Sequence, residues 1–146
     1  MVLYEKLYQT SSFDAISVKD YIPTLIDEIM QNFPNSGQVQ VEKSIDDFIL
    51  DIGKIQPLGM IINELLTNIM KHAFTGRKEG LITITLSQAD AIITLAIQDN
   101  GSGMPETIDF KNSTGFGLTL VEMLTKQLGG SIRVERNKGT KIILVF

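Results

Sequence analysis

The sequence predicts an α+β domain, a two-layer α/β sandwich in which three main helices cover one face of a mixed, mostly antiparallel sheet. Three segments carry apolar residues at helical spacing, and most β-prone segments come in pairs separated by short turns. Strands and helices do not alternate strictly, which disfavours a doubly wound parallel sheet. A chain of 146 residues, 43% of them hydrophobic, is the size of one such domain.

The three helices are predicted from apolar residues that recur every three or four positions. The first runs from Val18 to Phe33 and has Ser17 as a suitable N-cap. The second lies within residues 55–74. The third spans residues 118–128 and ends at Gly129-Gly130, where glycine permits the left-handed backbone that stops a helix.

The remaining segments read as strands. They cover residues 39–41, 48–52, 81–86, 91–97, 131–135 and 141–146. Gln88-Ala-Asp90 and Asn137-Lys-Gly139 connect the last two pairs as hairpins. The expected order is therefore helix, two strands, helix, two strands, loop, helix, two strands.

Composition excludes several classes of site and partner. The chain has no cysteine and a single histidine, so disulfides, thiolate zinc sites, iron–sulfur clusters and multi-histidine metal centres are excluded. A net charge of −4 without a basic stripe argues against nucleic-acid binding. The apolar runs are far shorter than the ~20 residues of a membrane span, and no secretory signal is recognisable. We therefore expect a cytoplasmic domain without direct membrane contact.

The second predicted helix has a polar side formed by Glu64, Asn68, Lys71 and His72. On most helices such a side is simply solvated. This helix, however, is so apolar elsewhere that it should be packed almost all round, and asparagine is a poor helix former in mid-helix. The polar side is therefore expected to face a wet or charged cavity.

Three glycine clusters follow along the chain: Asp99-Asn-Gly101-Ser-Gly103-Met104, Gly115-Phe-Gly117-Leu118 and Gly139-Thr140. Taken singly, each is compatible with an ordinary turn or a loose helix cap. The first fails as a dinucleotide fingerprint because the final glycine and the following helix are missing, and the chain has no P-loop. Glycines before a helix nevertheless expose backbone N–H groups to an anion.

Taken together, the polar helix side and the three glycine clusters resemble the N, G1, G2 and G3 boxes of the Bergerat-type ATP-binding fold. That fold is shared by sensor histidine kinases, gyrase-type topoisomerases, mismatch-repair ATPases and a chaperone ATPase. The resemblance covers residues 18–146. The segment from Ile62 to Phe74 and the start Glu5-Lys-Leu-Tyr-Gln9 are similar to sensor histidine kinases whose dimerisation domain is of the HWE-like, or HisKA_2, type. Residues 1–16 are accordingly expected to be the remnant of a helical dimerisation domain or a linker, and residues 17–146 the ATP-binding catalytic domain.

The resemblance implies ATP as cofactor and assigns the adenine-binding residues. Asp99 would accept a hydrogen bond from the exocyclic amine of adenine, as an acceptor-only carboxylate can. Gly101 and Gly103 would let the backbone approach the base, and Met104 would supply an apolar contact. Thr140 would assist at the adenine edge.

The resemblance also implies Mg²⁺ and assigns the residues around the phosphates. Asn68 would ligate the ion through its side-chain oxygen, and Glu64 would act as general base or orient the nucleophile. Lys71 and His72 would lie near the phosphates. Gly115 and Gly117 would present backbone N–H groups to them, with Leu118 completing that box.

The chain departs from the family pattern in three places. The lid between Met104 and Thr114 is short, with Phe110 at best a substitute for the usual phenylalanine box. Ile69-Met70 replace a smaller pair and are expected to crowd the pocket floor. The phosphorylated histidine of such kinases precedes the point at which this chain begins, and His72 belongs to the nucleotide box.

We therefore expect a domain that binds ATP and magnesium and transfers the γ-phosphoryl group to a histidine on a separate helical dimerisation domain. It would be inactive in self-phosphorylation and would serve a downstream response regulator, in a full-length protein that could be membrane-tethered. Two alternatives remain open from the residues: a free-standing anti-sigma-type serine kinase of the same fold, and a degenerate nucleotide-binding scaffold.

Overall fold

The computed structural model describes residues 15–34, 36–74, 79–101, 118–136 and 139–146. The helices are α1 (Val18–Gln31), α2 (Ile52–Asn68) and α3 (Leu118–Gln127), with a 3₁₀ turn at Ser36–Gln38 and a π-helical segment at Ile69–Ala73. The strands are β1 (Ala15–Ser17), β2 (Val39–Ile45), β3 (Ile49–Asp51), β4 (Gly80–Ala89), β5 (Ile92–Asp99), β6 (Ser131–Arg136) and β7 (Thr140–Val145).

Five strands form one sheet in the order β2-β4-β5-β7-β6. Among the described strands of this sheet, β2 and β4 pair in parallel, and β4–β5, β5–β7 and β6–β7 are antiparallel. The hairpins β4–β5 and β6–β7 are those the sequence predicts. The first turns through Asp90 and Ala91, both at positive φ, as tight hairpin turns require. The predicted loop over 88–90 is therefore displaced, because Gln88 and Ala89 still pair with β5. The prediction of an α+β sandwich with a mixed, mostly antiparallel sheet is confirmed.

The two strands between the first and second helices do not pair with each other. β3 pairs instead with β1 in a separate two-stranded sheet, and β2 joins the main sheet beside β4. The connection through Asp46 fixes this arrangement, since its N–H donates to the Leu86 carbonyl and its carboxylate accepts from the Gln88 N–H. A parallel neighbour for β2 also requires a crossover connection, which α2 provides.

The helix ends follow the predicted capping chemistry. Ser17 caps α1 by accepting a hydrogen bond from the Asp20 N–H at 3.4 Å. At the end of α3, Gly129 adopts φ 73° and the Gly130 N–H donates to the Thr125 carbonyl at 3.1 Å. This is the hydrogen-bond pattern of a glycine-terminated helix.

The second helix differs from one continuous helix over 55–74. It begins at Ile52, and its last turn, Ile69–Ala73, is π-helical. Ile69 and Met70 lie in the hydrophobic core, each 6% exposed, whereas Lys71 and His72 are exposed. No helix among the described residues is long and apolar enough to cross a membrane.

The sheet presents in-register rows of side chains to the helices, because residues directly opposite each other lie on the same face. Across β4, β5, β7 and β6, the first row is Leu86, Leu95, Leu144 and Ile132. The second row is Ile84, Ile97, Ile142 and Val134. Both rows belong to, or pack against, the core shared with all three helices.

Candidate functional site

The third row of the sheet breaks this apolar pattern. It consists of Ile82, Asp99, Thr140 and Arg136, which are paired directly across the four strands. Asp99 is 2% exposed and Thr140 is 4% exposed. Polar groups are rarely buried at the edge of an apolar core, and they concentrate at functional sites, so this row is a candidate ligand site.

Asp99 ends β5 in a turn that its own side chain stabilises. Its Oδ1 accepts a hydrogen bond from the Gly101 N–H at 2.9 Å. Between them, Asn100 is bound to the start of β4: its Oδ1 accepts from the Leu81 N–H at 2.8 Å, and its own N–H donates to the Leu81 carbonyl at 3.2 Å. The sequence Asp-Asn-Gly thus makes the expected turn, and that turn is held firmly against the sheet.

Two glycines bring other segments against this turn. A Cβ on Gly101 would overlap the main-chain carbonyl of Ala73, the last residue of the π-helical segment. A Cβ on Gly139, which has φ 121°, would overlap the main-chain carbonyl of Asp99. Only glycine permits both approaches. Three of the four segments singled out in the sequence therefore meet around Asp99.

The α2 residues lie on the helix whose end makes this contact. Glu64 and Asn68 are half-buried, and Lys71 and His72 are exposed. Asn68 is the residue at which α2 passes into the π-helical segment, and Ala73 closes that segment against Gly101. Such π-helical turns occur frequently at functional sites. The predicted polar side of this helix is thus partly sheltered at Glu64 and Asn68 and open to solvent at its end.

Of the remaining predicted site residues, the structure describes Leu118. Leu118 is the first residue of α3, and its side chain is fully buried in the core. A ligand at this point would therefore meet its backbone. Gly103, Met104, Gly115 and Gly117 lie outside the described residues, as does the predicted lid with Phe110.

The oxygen donors of Glu64 and Asn68 suit a hard cation that takes most of its coordination from a bound small molecule. Within the described residues, no group of three or more His, Cys, Asp or Glu side chains is placed to hold a metal ion. Asn68 and Glu64, one helical turn apart, offer oxygen donors of the type magnesium takes. Magnesium usually keeps most of its coordination for phosphate oxygens and water, so this donor set fits a magnesium–nucleotide complex.

Arg136 is a member of the polar row that is not among the residues predicted from the sequence. This residue ends β6 and stands opposite Thr140 in the third row. Its position follows from period two: Ile132 and Val134 face the core, so Arg136 lies on the same face. Counting alternation along the last hairpin would have found it.

A separate open groove of about 470 Å³ lies where β2 and β4 begin. It is lined by Gly37, Gln38, Val39, Gln40, Glu79 and Gly80. None of the residues predicted for the site lines this groove, so it is distinct from the polar row.

Comparison with known families identifies the chain. Residues 53–146 match the model for histidine kinase-, DNA gyrase B- and HSP90-like ATPases. The chain belongs to this family. The matched region contains all of α2 after its first residue, the polar row and the four strands that carry it. The prediction of this ATP-binding fold is confirmed.

The similar proteins are histidine kinases. The chain is 28% identical over 109 residues to blue-light-activated histidine kinase 2 of Erythrobacter litoralis, covering 74% of this chain and 31% of that protein. It is 30% identical over 110 residues to the sensor histidine kinase PdtaS of Mycobacterium tuberculosis, covering 73% of this chain and 22% of that protein. Among solved structures, the histidine kinase domain of the Erythrobacter litoralis EL346 blue-light activated kinase has a TM-score of 0.88 at 23% identity, covering 99% of this chain and 69% of that one.

These similarities confirm the predicted identity of the chain as a catalytic ATPase domain of the histidine kinase type, and they do not favour the serine-kinase alternative. The likeness to the blue-light kinase is compatible with the HWE-like branch. The chain spans less than a third of the length of either curated relative.

Proposed function

We propose that this chain binds magnesium-ATP at the polar row and transfers the γ-phosphoryl group to a histidine on a separate helical domain of a two-component sensor kinase. The observation that supports this most strongly is Asp99. It is a carboxylate 2% exposed at the edge of an apolar core, with backbone from two other segments packed against its turn.

Asp99 would select adenine. One carboxylate oxygen is engaged by the Gly101 N–H, and a carboxylate retains further acceptor sites for the exocyclic amine of the base. Guanine presents a carbonyl at the same position and would leave two acceptors facing each other, which disfavours it. Thr140, directly opposite Asp99, would support the adenine edge, and Gly103 and Met104 would complete the base pocket.

The α2 residues would handle the phosphate end. Asn68 would hold magnesium through its side-chain oxygen, and the bound ion would offset charge on the phosphate oxygens. Glu64, one turn earlier, would orient the attacking nitrogen or accept its proton. Lys71 and His72 are exposed on the following turn, where the charge of Lys71 would attract the triphosphate and His72 would lie beside it.

The glycine-rich segment before α3 would contribute main-chain donors. Gly115, Gly117 and Leu118 would present N–H groups at the positive end of the α3 dipole to the phosphates. Positioning and charge compensation of this kind are most of what phosphoryl transfer requires from a protein.

The phosphoacceptor would come from another domain. The chain has one histidine, and His72 belongs to the proposed nucleotide site. Residues 1–16 would be the remnant of, or the linker to, a helical dimerisation domain that carries the acceptor, with a response regulator downstream. The domain would act in the cytoplasm, and the isolated chain would not phosphorylate itself.

Incubation with γ-labelled ATP tests this function. The chain alone should remain unlabelled, whereas addition of the helical dimerisation domain should give acid-labile label on that domain. The Glu64→Gln variant should bind ATP but transfer the label more slowly, by about a hundredfold. Acid-stable label on a serine of a partner, or acid-labile label on the chain alone, would contradict the proposal.

A further inference from the structure

The polar row extends one residue beyond the proposed adenine contacts. Arg136 is paired with Thr140, which is paired with Asp99, so the three side chains stand on one face in consecutive strands. In an antiparallel sheet, a residue of an inner strand forms a hydrogen-bonded pair with one neighbour and a non-hydrogen-bonded pair with the other. The two separations add up across Thr140, so the α-carbons of Asp99 and Arg136 lie about 10 Å apart. An arginine thus stands within one nucleotide length of the buried carboxylate.

The same corner of the fold carries the positive end of a helix. Gly129 and Gly130 reverse the chain between α3 and β6, so the first turn of α3 lies towards the Arg136 end of β6. Within α3, all of whose residues the structure describes, that first turn carries no acidic side chain. No acidic side chain in that turn offsets the helix dipole, so the dipole and the guanidinium both favour an anion at this corner.

We propose that Arg136 is a phosphate-binding residue that sets the affinity of this site for nucleotides over nucleosides. The inference rests on the proposed function, because it takes the purine to be anchored at Asp99. A base held by its exocyclic amine at Asp99 and lying over Thr140 brings its first phosphates within reach of a side chain one strand further along the row. A guanidinium presents planar paired donors that match phosphate oxygens.

The fold provides a matched control on the same strand. Arg133 lies on the opposite face of the sheet, opposite Ile143, and pairs with Glu135 at 3.5 Å. Replacing either arginine by alanine removes one positive charge from β6, but only Arg136→Ala removes it from the polar row. The net electrostatic change is therefore the same in the two variants, and the position differs.

Calorimetric titration of the whole chain with ATP, ADP and adenosine tests this role. Arg136→Ala should weaken ATP and ADP binding about three- to tenfold and leave adenosine binding unchanged. The ATP and ADP affinities of Arg136→Lys should lie between those of the wild type and Arg136→Ala. Those of Arg133→Ala should match the wild type. Because Arg136 is exposed, the difference between wild type and Arg136→Ala should shrink at about 0.5 M salt.

The binding results distinguish the role of Arg136 from the proposed function on which it rests. If Arg136→Ala binds ATP like the wild type while Asp99→Asn does not bind it, the role of Arg136 is wrong and the nucleotide site stands. Equal losses for adenosine and ATP would also overturn the phosphate role. A wild-type chain that binds neither ATP nor adenosine would overturn the proposed function itself, and this inference with it.

Discussion

Gly101 lies directly against the main-chain carbonyl of Ala73, so close that the two backbones leave no room for a side chain. This contact joins the end of the π-helical segment to the turn that follows Asp99. The relative position of α2 and β5 at the site is therefore set by backbone packing, which side-chain motion cannot easily relax.

Gly101→Ala should disturb this junction. We expect the free energy of unfolding to fall by about 1–3 kcal/mol, because the new methyl group overlaps main-chain atoms that cannot move aside. Gly53→Ala is the control, since a Cβ on that residue meets nothing within 4 Å. Alanine favours a helix there, so that variant should be at least as stable as the wild type. Equal urea midpoints for the Gly101 variant and the wild type would contradict the close packing.

Asn68→Ala should uncouple nucleotide binding from magnesium. We expect the gain in ATP affinity on adding magnesium to be largely lost, because the side-chain oxygen proposed to hold the ion is removed. Asn63→Ala, an exposed position on the same helix, should retain the full gain. Calorimetric titrations with ATP, with and without magnesium, measure this gain in affinity. A gain preserved in the Asn68→Ala variant would show that the ion is held elsewhere.

Tyr21 carries a buried hydroxyl whose removal should not destabilise the protein. Tyr21 is 3% exposed, and its hydroxyl and the Glu28 Oε2 are buried without a hydrogen-bond partner among the described groups. Tyr21→Phe removes an unpaired polar atom, so the free energy of unfolding should stay equal or rise by about 1 kcal/mol. A loss above that size in urea denaturation would reveal a partner for the hydroxyl.

The same residue predicts a loss of stability in alkali. Burial, and secondarily the charge of Glu28, raise the pKa of Tyr21 above its ordinary value. The folded state then holds the proton where the unfolded state releases it, so stability is full below pH about 10 and falls above it. Tyr21→Phe should lose less stability between pH about 8 and about 11 than the wild type. Identical losses in the two proteins would contradict this assignment.

Local sequence chemistry predicted much of the fold. The Ser17 cap, the Gly129 stop and both hairpins depend on residues close together in the chain, and all four were expected. Only the turn of the first hairpin is displaced, from the predicted 88–90 to Asp90 and Ala91. The pairing of β3 with β1 could not be foreseen. It depends on distant segments and on very short strands, for which periodicity carries little information.

The segments that meet around Asp99 were predictable in part. Asp99 and Gly101 stand out because glycines after an acid let backbone and a ligand approach closely, whereas Gly139 is predicted only through the family resemblance. The π-helical turn after Asn68 was not expected, because it arises from how the helix end packs and not from a local breaker. Alternation along β6 predicts the face on which Arg136 lies, but its position opposite Thr140 depends on the register of β6 with β7.

Adenine recognition by Asp99 is the central claim, and Asp99→Asn tests it most directly. The amide oxygen can still accept from the Gly101 N–H, so the turn survives, but the amide nitrogen now meets the adenine amine donor to donor. Asp90→Asn, at the opposite end of β5, makes the same charge change in an exposed turn.

The deciding measurement is calorimetric titration of wild type, Asp99→Asn and Asp90→Asn with ATP and with inosine triphosphate, which has a carbonyl in place of the amine. We expect Asp99→Asn to bind ATP at least about tenfold more weakly and to shift its preference towards inosine triphosphate, while Asp90→Asn behaves as the wild type. Unchanged ATP affinity in a folded Asp99→Asn variant would contradict the account.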